Sequence, residues 1–230
     1  MICHDVEQGT TPWLELRAGI PTSSEFGRIV TPTGKPSSSA KSYMFELMAE
    51  RLMGHPVTSF VTTWMERGHE LEPEAVDFYA FQTNEDPQPV GFVTDDSKRV
   101  GASPDRLVGS DGLLEIKAPK ESTHIGYLLE NGPDGKYFPQ LQGQLWITER
   151  QWVDICSYHP LMPPALVRVE RDDDYIVLLS RYVGEFLDEL DTQYERLVEK
   201  VGGPERVQKK NADRFTEVQE LMAAKANKGE

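Results

Sequence analysis

Apolar residues recur along the chain with two distinct periods, and their succession lays out an α/β order of elements. Thr11-Pro12 opens a short helix, with Thr as cap and Pro at the first helical position; Trp13, Leu14 and Leu16 follow before Gly19 closes it. Pro21-Thr22-Ser23-Ser24-Glu25 resembles the start of a second helix with Ser or Thr capping. Tyr43, Phe45, Leu47, Met48 and Leu52 supply apolar faces to a helix from Ser42 to about Met53, ended by Gly54. Residues 58–83 are helical in pattern, and Pro73 must begin a new segment there or kink a continuous one. Gln88 to Thr94 reads as a strand, and residues 100–117 as strand, tight turn and strand, with the hairpin through Asp111-Gly112. Tyr137 to Thr148 is a helix with Leu141, Leu145 and Trp146 inward. Trp152 to His159 and Ala165 to Glu170 are two further strands. From Asp172 to about Lys200, Ile176, Leu179, Val183, Phe186, Leu187, Leu190, Tyr194 and Leu197 recur at three and four, the pattern of one long amphipathic helix.

Two stretches interrupt this order. Residues 31–42 are rich in Pro, Gly and Ser, carry Lys35 and Lys41, and read as a mobile loop. Gly202-Gly203-Pro204 breaks the chain after the long helix. The expectation is one domain over residues 1–202, followed by a charged tail, 203–230, that is a docking helix or partly disordered.

Candidate chemistry concentrates in Val100 to Lys120. Side chains two apart on a strand share a face, so Glu115 and Lys117 point one way while Ile116 faces the core. A hairpin can bring Asp105 alongside them. Two carboxylates and an ammonium then converge, and hard divalent cations such as Mg²⁺ prefer oxygen ligands. The same residues also suit a solvated strand face with ordinary turn formers around it, so the residues alone leave both readings open. Further along, Gln140 and Gln144 share a helix face, suited either to orienting a water or phosphate or to a half-exposed surface. Arg17 stands close to the hydroxyl-rich segment Thr22 to Ser24, where a helix N-terminus would favour an anion; simple capping is the alternative. Glu70 and Glu72 cannot face one way on a regular helix, so at most one reaches a buried site. Asp172-Asp173-Asp174 is explained by a long helix's acidic N-terminus.

Composition narrows the classes. Hydrophobic residues make up 38% and aromatic residues 9% of 230 residues, as in a folded globular protein. The net charge of −14 argues against a general nucleic-acid coat protein, although local Lys and Arg contacts remain compatible with it. There is no apolar run long enough for a membrane span. The first ten residues lack a signal peptide's basic and apolar regions, and Cys3 and Cys156 stand far apart, so a cytoplasmic protein with free thiols is expected. No P-loop, dinucleotide fingerprint or zinc spacing occurs.

Pro104-Asp105 followed by Glu115-Ile116-Lys117 resembles the PD-(D/E)XK nuclease signature. Three further motifs appear in order with it. Glu7, Gln8, Gly9, Trp13, Leu16, Arg17, Gly19, Thr22, Ser24 and Glu25 form the first; Gly68, Glu72 and Ala75 the second; Gln140, Gln142, Trp146 and Thr148 the last. Together, from about Val6 to Glu199, the chain resembles the phage lambda exonuclease family, also called the YqaJ-type viral recombinase group. The resemblance implies a restriction-endonuclease-like α/β core, a central mixed sheet flanked by helices. It implies a Mg²⁺-dependent exonuclease, with two ions and Mn²⁺ able to substitute. Such an enzyme degrades one strand of linear double-stranded DNA from its 5′ end and leaves 3′ overhangs for recombination by strand annealing. Asp105 and Glu115 are then metal ligands with the Ile116 carbonyl, Glu72 is a further acidic ligand or supporting group, Lys117 positions or activates the attacking water, and Gln142 supports the same shell. Arg17 and Ser24 match the pocket for the 5′-phosphate, Met65 stands where the family places an apolar wedge, and the loop with Lys35 and Lys41 is a candidate DNA contact. A homotrimeric ring around DNA, a single-strand annealing partner and the cytoplasm of a phage-infected or lysogenic bacterium are implied in the same way. A structure-specific endonuclease or a non-catalytic DNA-end-binding scaffold would share the fold; iron–sulfur cysteines of a Cas4-like exonuclease are absent.

Overall fold

The computed structural model describes residues 1–57, 63–130, 132, 135–207 and 209, excepting the side chains of 63–66 and 69. Its centre is a five-stranded sheet made of β2 (Gln88–Pro89), β5 (Arg106–Val108), β6 (Gly112–Lys117), β7 (Trp152–Ser157) and β8 (Ala165–Glu170), in that spatial order. Only β6 and β7 run parallel. Parallel neighbours need a crossover, and here it contains α4 (Glu121–Leu129) and α5 (Phe138–Thr148). The two central strands, GLLEIK and WVDICS, are buried over almost their full length, whereas edge strand β8 alternates towards solvent. A second, three-stranded sheet joins β1 (Ile2–His4), β3 (Phe92–Thr94) and β4 (Gly101–Ala102). The fold class is the mixed α/β core expected from the sequence.

α6 (Asp173–Val201) buries Tyr175, Ile176, Leu179, Val183, Phe186, Leu187 and Leu190 along one stripe. Its N-terminus is capped by Asp172, whose side chain accepts from the Tyr175 amide at 2.9 Å. Apart from Ile176, which packs with Leu141, Leu145 and Ile155, that stripe packs with Phe26, Tyr43, Leu47 and Val100 in the largest core cluster. These residues bring together the 3-10 helix Ser23–Arg28, α2 (Ala40–Met53) and the smaller sheet. The helix expected after Pro21 is therefore a short 3-10 segment.

α3 (Thr63–Thr83) continues through Pro73 and is fastened to the main sheet through Tyr79. The Tyr79 hydroxyl donates to buried Asp154 on β7 at 2.8 Å, and Arg168 on β8 grips the same carboxylate with two bonds of 2.8 and 2.9 Å. This anchor holds the helix that carries Glu72 against the hairpin that carries Asp105.

Two expectations are corrected. Gln88 to Thr94 is not one strand: β2 joins the large sheet and β3 the small one. A Cβ at Gly91, between them, would lie 2.3 Å from the Val6 carbonyl oxygen and 2.5 Å from that of His4, so the close approach of the N-terminal segment requires glycine there. The hairpin turn is not Asp111-Gly112, because Gly112 already pairs with Val108; the loop is Gly109 to Asp111, with Gly109 at φ +51°. Residues 31–36 form a hydrogen-bonded turn, Thr31 N–H to Lys35 O at 2.7 Å and Gly34 N–H to Thr31 O at 2.9 Å. β1 and α4 had no sequence expectation, and Tyr137, expected to open the α5 helix, instead ends a 3-10 turn, Gly135–Tyr137. The tail beyond 207, residue 209 apart, lies outside the described residues.

Candidate active site

The β5–β6 pairing places the start of β5 beside the end of β6. Arg106 pairs with Leu114, so Asp105 comes level with Glu115 and Ile116. One Asp105 oxygen accepts from the Ile116 amide at 2.6 Å. Glu115 is 3% exposed, and three side chains satisfy it. Oε1 accepts from Lys117 Nζ at 2.5 Å and from Gln140 Nε2 at 2.7 Å, and Oε2 accepts from Gln144 Nε2 at 2.7 Å. Lys117 Nζ also lies 4.9 Å from the ring centre of Tyr137. Ile116 points into a core cluster with Ala75 and Tyr79, as strand alternation requires.

The charges are crowded. Burial, then the neighbouring Glu115 carboxylate, pushes the Asp105 carboxyl well above its ordinary range; Lys117 and the Ile116 amide oppose this, and Glu72 adds to it. For Lys117, burial presses the ammonium down, but Glu115 and Asp105 outweigh it and raise it to about 12. Two close carboxylates of this kind are relieved by a cation.

Glu72 faces the same region from α3, where its Oε1 accepts from Arg106 Nη1 at 2.6 Å. Glu70 is exposed. Among the described residues no three His, Cys, Asp or Glu side chains are gathered closely enough to hold an ion by themselves. The donor set nonetheless fits Mg²⁺, which is commonly held by one or two carboxylates with water and substrate phosphate completing the shell. Gln144 supplies a second sign of fit: its Oε1 is buried without a hydrogen-bond partner, an acceptor suited to a bound water.

Gln142 requires correction. It is fully buried on the other side of α5, donating to Glu170 O and accepting from Asp172 N, each at 2.8 Å, and so ties α5 to the β8–α6 junction. Residues 140 and 144 are one turn apart and share a face, whereas 142 lies on the opposite one. The glutamines at Glu115 are therefore Gln140 and Gln144.

A second cluster adjoins the first. Arg17, in the last turn of α1 (Thr11–Arg17), stacks on Trp13 with its guanidinium 4.2 Å from the ring centre. Nη1 donates to Ser103 at 3.2 Å, and Nη2 approaches Thr22 at 3.4 Å and Ser24 at 3.5 Å. Trp13 Nε1 also donates to Ser103, at 3.0 Å. Burial lowers the Arg17 pKa, and its hydrogen-bond partners are hydroxyls rather than carboxylates. A guanidinium so placed is suited to an anion. Thr22 lies in the hydroxyl-rich segment expected to favour an anion, whereas Ser103 and Trp13 were not expected in that pocket from sequence. Ser103 stands two residues before Asp105, a spacing that could have flagged it.

Lys35 and Lys41 are exposed, Lys41 lying 5.8 Å from the Phe45 ring centre. The side chain of Met65 lies outside the described residues.

Comparison with known proteins agrees with this geometry. The model of the YqaJ-like viral recombinase domain matches residues 12–151. An alkaline exonuclease, LHK-Exo, from Laribacter hongkongensis is 36% identical over 83% of this chain and 97% of its own, with a TM-score of 0.77. The structure of LHK-Exo in complex with dAMP gives 38% identity over the same shares and a TM-score of 0.76. A phage-related exonuclease from Haemophilus somnus 129PT shares the fold at 16% identity, with a TM-score of 0.63 over 79% of this chain and 96% of that one. No curated protein matches the chain. The family match spans the Arg17 pocket, Asp105, Glu115 and the α5 glutamines in one stretch: the chain belongs to the YqaJ-like viral recombinase family, and its kinship with alkaline exonucleases supports a nuclease role.

Proposed function

We propose that the protein is a Mg²⁺-dependent exonuclease that degrades one strand of linear double-stranded DNA from a 5′-phosphorylated end, releasing mononucleotides and leaving 3′ overhangs. The observation that carries this reading is the link through Ser103: its hydroxyl belongs to the Arg17 anion pocket, and two residues later comes Asp105 beside Glu115. A pocket suited to a terminal phosphate thus adjoins a carboxylate pair suited to metal-assisted cleavage. The dAMP complex of LHK-Exo supports a mononucleotide as product.

Bound Mg²⁺, two ions in this reading, would lower the pKa of a water and neutralise charge on the scissile phosphate. Asp105, Glu115 and the Ile116 carbonyl would hold it, with Mn²⁺ able to replace it. Gln140 and Gln144 orient Glu115 from α5. Lys117, an ammonium at neutral pH, places positive charge beside Glu115 and orients the attacking water there. Arg17, with the hydroxyls of Thr22, Ser24 and Ser103, binds the terminal phosphate and so sets where the chain is cut.

The family resemblance supports three further parts of the proposal: a homotrimeric ring that threads DNA, a single-strand annealing partner, and a phage or prophage origin in a bacterial cytoplasm. Among the described residues no helix is long and apolar enough to cross a membrane. Residues 1–202 are taken as the nuclease domain, with Lys35 and Lys41 reaching DNA outside the catalytic cluster.

The test is digestion of a linear duplex carrying one 5′-phosphate and one 5′-hydroxyl end, in Mg²⁺ and in EDTA. Metal-dependent loss of the phosphorylated strand alone is expected. Cutting of circular DNA would replace the proposal with an endonuclease, and no cutting with any metal would leave a DNA-end-binding protein.

A further inference from the structure

Arg106 stands between the Glu72 carboxylate and the backbone of Asp105. Its Nη1 donates to Glu72 Oε1 at 2.6 Å and to the backbone oxygen of Asp105 at 2.5 Å. The pair is mostly shielded, with side-chain exposures of 21% for Arg106 and 24% for Glu72. Glu72 is thereby tied to a guanidinium rather than joined to Asp105 and Glu115, consistent with the lack of a three-carboxylate group among the described residues. Pro73 follows Glu72 directly and cannot donate the helical bond to the carbonyl four residues back. The carboxylate therefore sits where the α3 backbone ladder is already interrupted. A guanidinium is a strong partner for a phosphodiester, which it grips with two parallel bonds.

We propose that Arg106 is a positioning residue that makes the second ion site conditional on DNA. Without DNA, Arg106 holds Glu72, and the protein binds one divalent ion at Asp105 and Glu115. When the DNA backbone enters, its phosphate draws the guanidinium away. Glu72 is then released as the additional carboxylate for a second ion. The phosphate that exchanges partners with Arg106 is thus the signal that completes the site, and ions are not gathered fully before substrate is present. The proposal rests on the reading of Asp105 and Glu115 as the ion-holding pair.

The test is the stoichiometry of Ca²⁺ binding to the full-length chain by calorimetry, without DNA and with a 5′-phosphorylated duplex, under conditions verified to give no cleavage. Wild type should bind one ion alone and two with the duplex. Arg106→Gln should bind two ions without DNA, and the double variant Arg106→Gln/Glu72→Gln one, because the gain depends on the freed carboxylate. Two ions on DNA-free wild type, or one on Arg106→Gln, would overturn the proposal. Should Arg106→Gln not fold, Glu72→Gln decides: with duplex it should fall from two ions to one, and retention of two would refute the role of Glu72. Asp105→Asn separates the underlying reading. If it binds ions as wild type does, the ion-holding pair itself is misassigned; weakening by about tenfold or more supports that pair whatever Arg106 does.

Discussion

Asp105 is held by the strand that carries its partner carboxylate: its Oδ2 accepts from the Ile116 amide at 2.6 Å, one residue beyond Glu115. The two acids are thus set by main-chain register rather than by flexible side chains alone. Asp105→Asn preserves the shape and removes the charge. Cleavage should fall by at least about 10²-fold, while binding of duplex ends in Ca²⁺ stays within a few-fold of wild type. Near-normal turnover in this variant would remove Asp105 from the site.

The α5 glutamines should separate into two classes. Gln140→Ala and Gln144→Ala each remove a donor to Glu115, and activity should fall by about 10- to 100-fold. Gln142→Ala removes two buried hydrogen bonds instead. At about 1 kcal/mol each, the loss is about 2 kcal/mol, or roughly 4–8 °C in Tm for a protein of this size. Activity per folded molecule at low temperature should persist. Thermal melts alongside initial rates measure both effects.

Arg17→Ala should erase the preference for 5′-phosphorylated over 5′-hydroxyl ends. A hydrogen bond to a charged group contributes about 1.5–3 kcal/mol, so the rate ratio between the two ends should shrink by roughly 10- to 100-fold. Ser103→Ala removes a neutral hydroxyl partner and should have a smaller effect in the same direction. An unchanged preference in Arg17→Ala would place the end pocket elsewhere.

The pH dependence of stability follows from Asp105. Its carboxyl holds a proton more tightly in the folded than in the unfolded chain, because burial and then Glu115 raise its pKa. Stability from this group is fully present below the unfolded value and is lost as pH rises through the raised folded value. In EDTA, wild type should therefore lose stability relative to Asp105→Asn as pH rises from the ordinary carboxylate range towards neutrality. Mg²⁺ competes with that proton, so its stabilising effect should grow over the same interval. Melting curves across pH with and without Mg²⁺ test this; a metal effect independent of pH would contradict it. Lys117 acts at the other end: its pKa is raised to about 12, so its contribution persists through neutral pH and is lost only as pH rises towards that value.

Much of the fold was legible because its periods are simple. The stripe from Ile176 to Leu190 reads as α6 since one side of a helix must be buried, and alternation alone placed Glu115 and Lys117 together with Ile116 inward. The failures have particular causes. Gly91 lies where another segment passes close by, a tertiary fact that split the expected strand. Gln142 was assigned from its position in a family motif, while helix geometry turns it towards Glu170 and Asp172. Arg106 had no sequence signal, because its role depends on where α3 brings Glu72. Ser103 comes near Thr22 through a tertiary contact, the bridge from Gly101 to Thr22, which sequence periodicity does not show.

The most direct measurement is the length of the first product from a duplex labelled on its 5′-phosphate, under single turnover in Mg²⁺. If the Arg17 pocket and the Asp105–Glu115 pair act as one site, the label leaves first as a mononucleotide, and Arg17→Ala slows that step. Release of the label on long oligonucleotides, or cutting of the strand from its 3′ end with the label left in place, would contradict that reading.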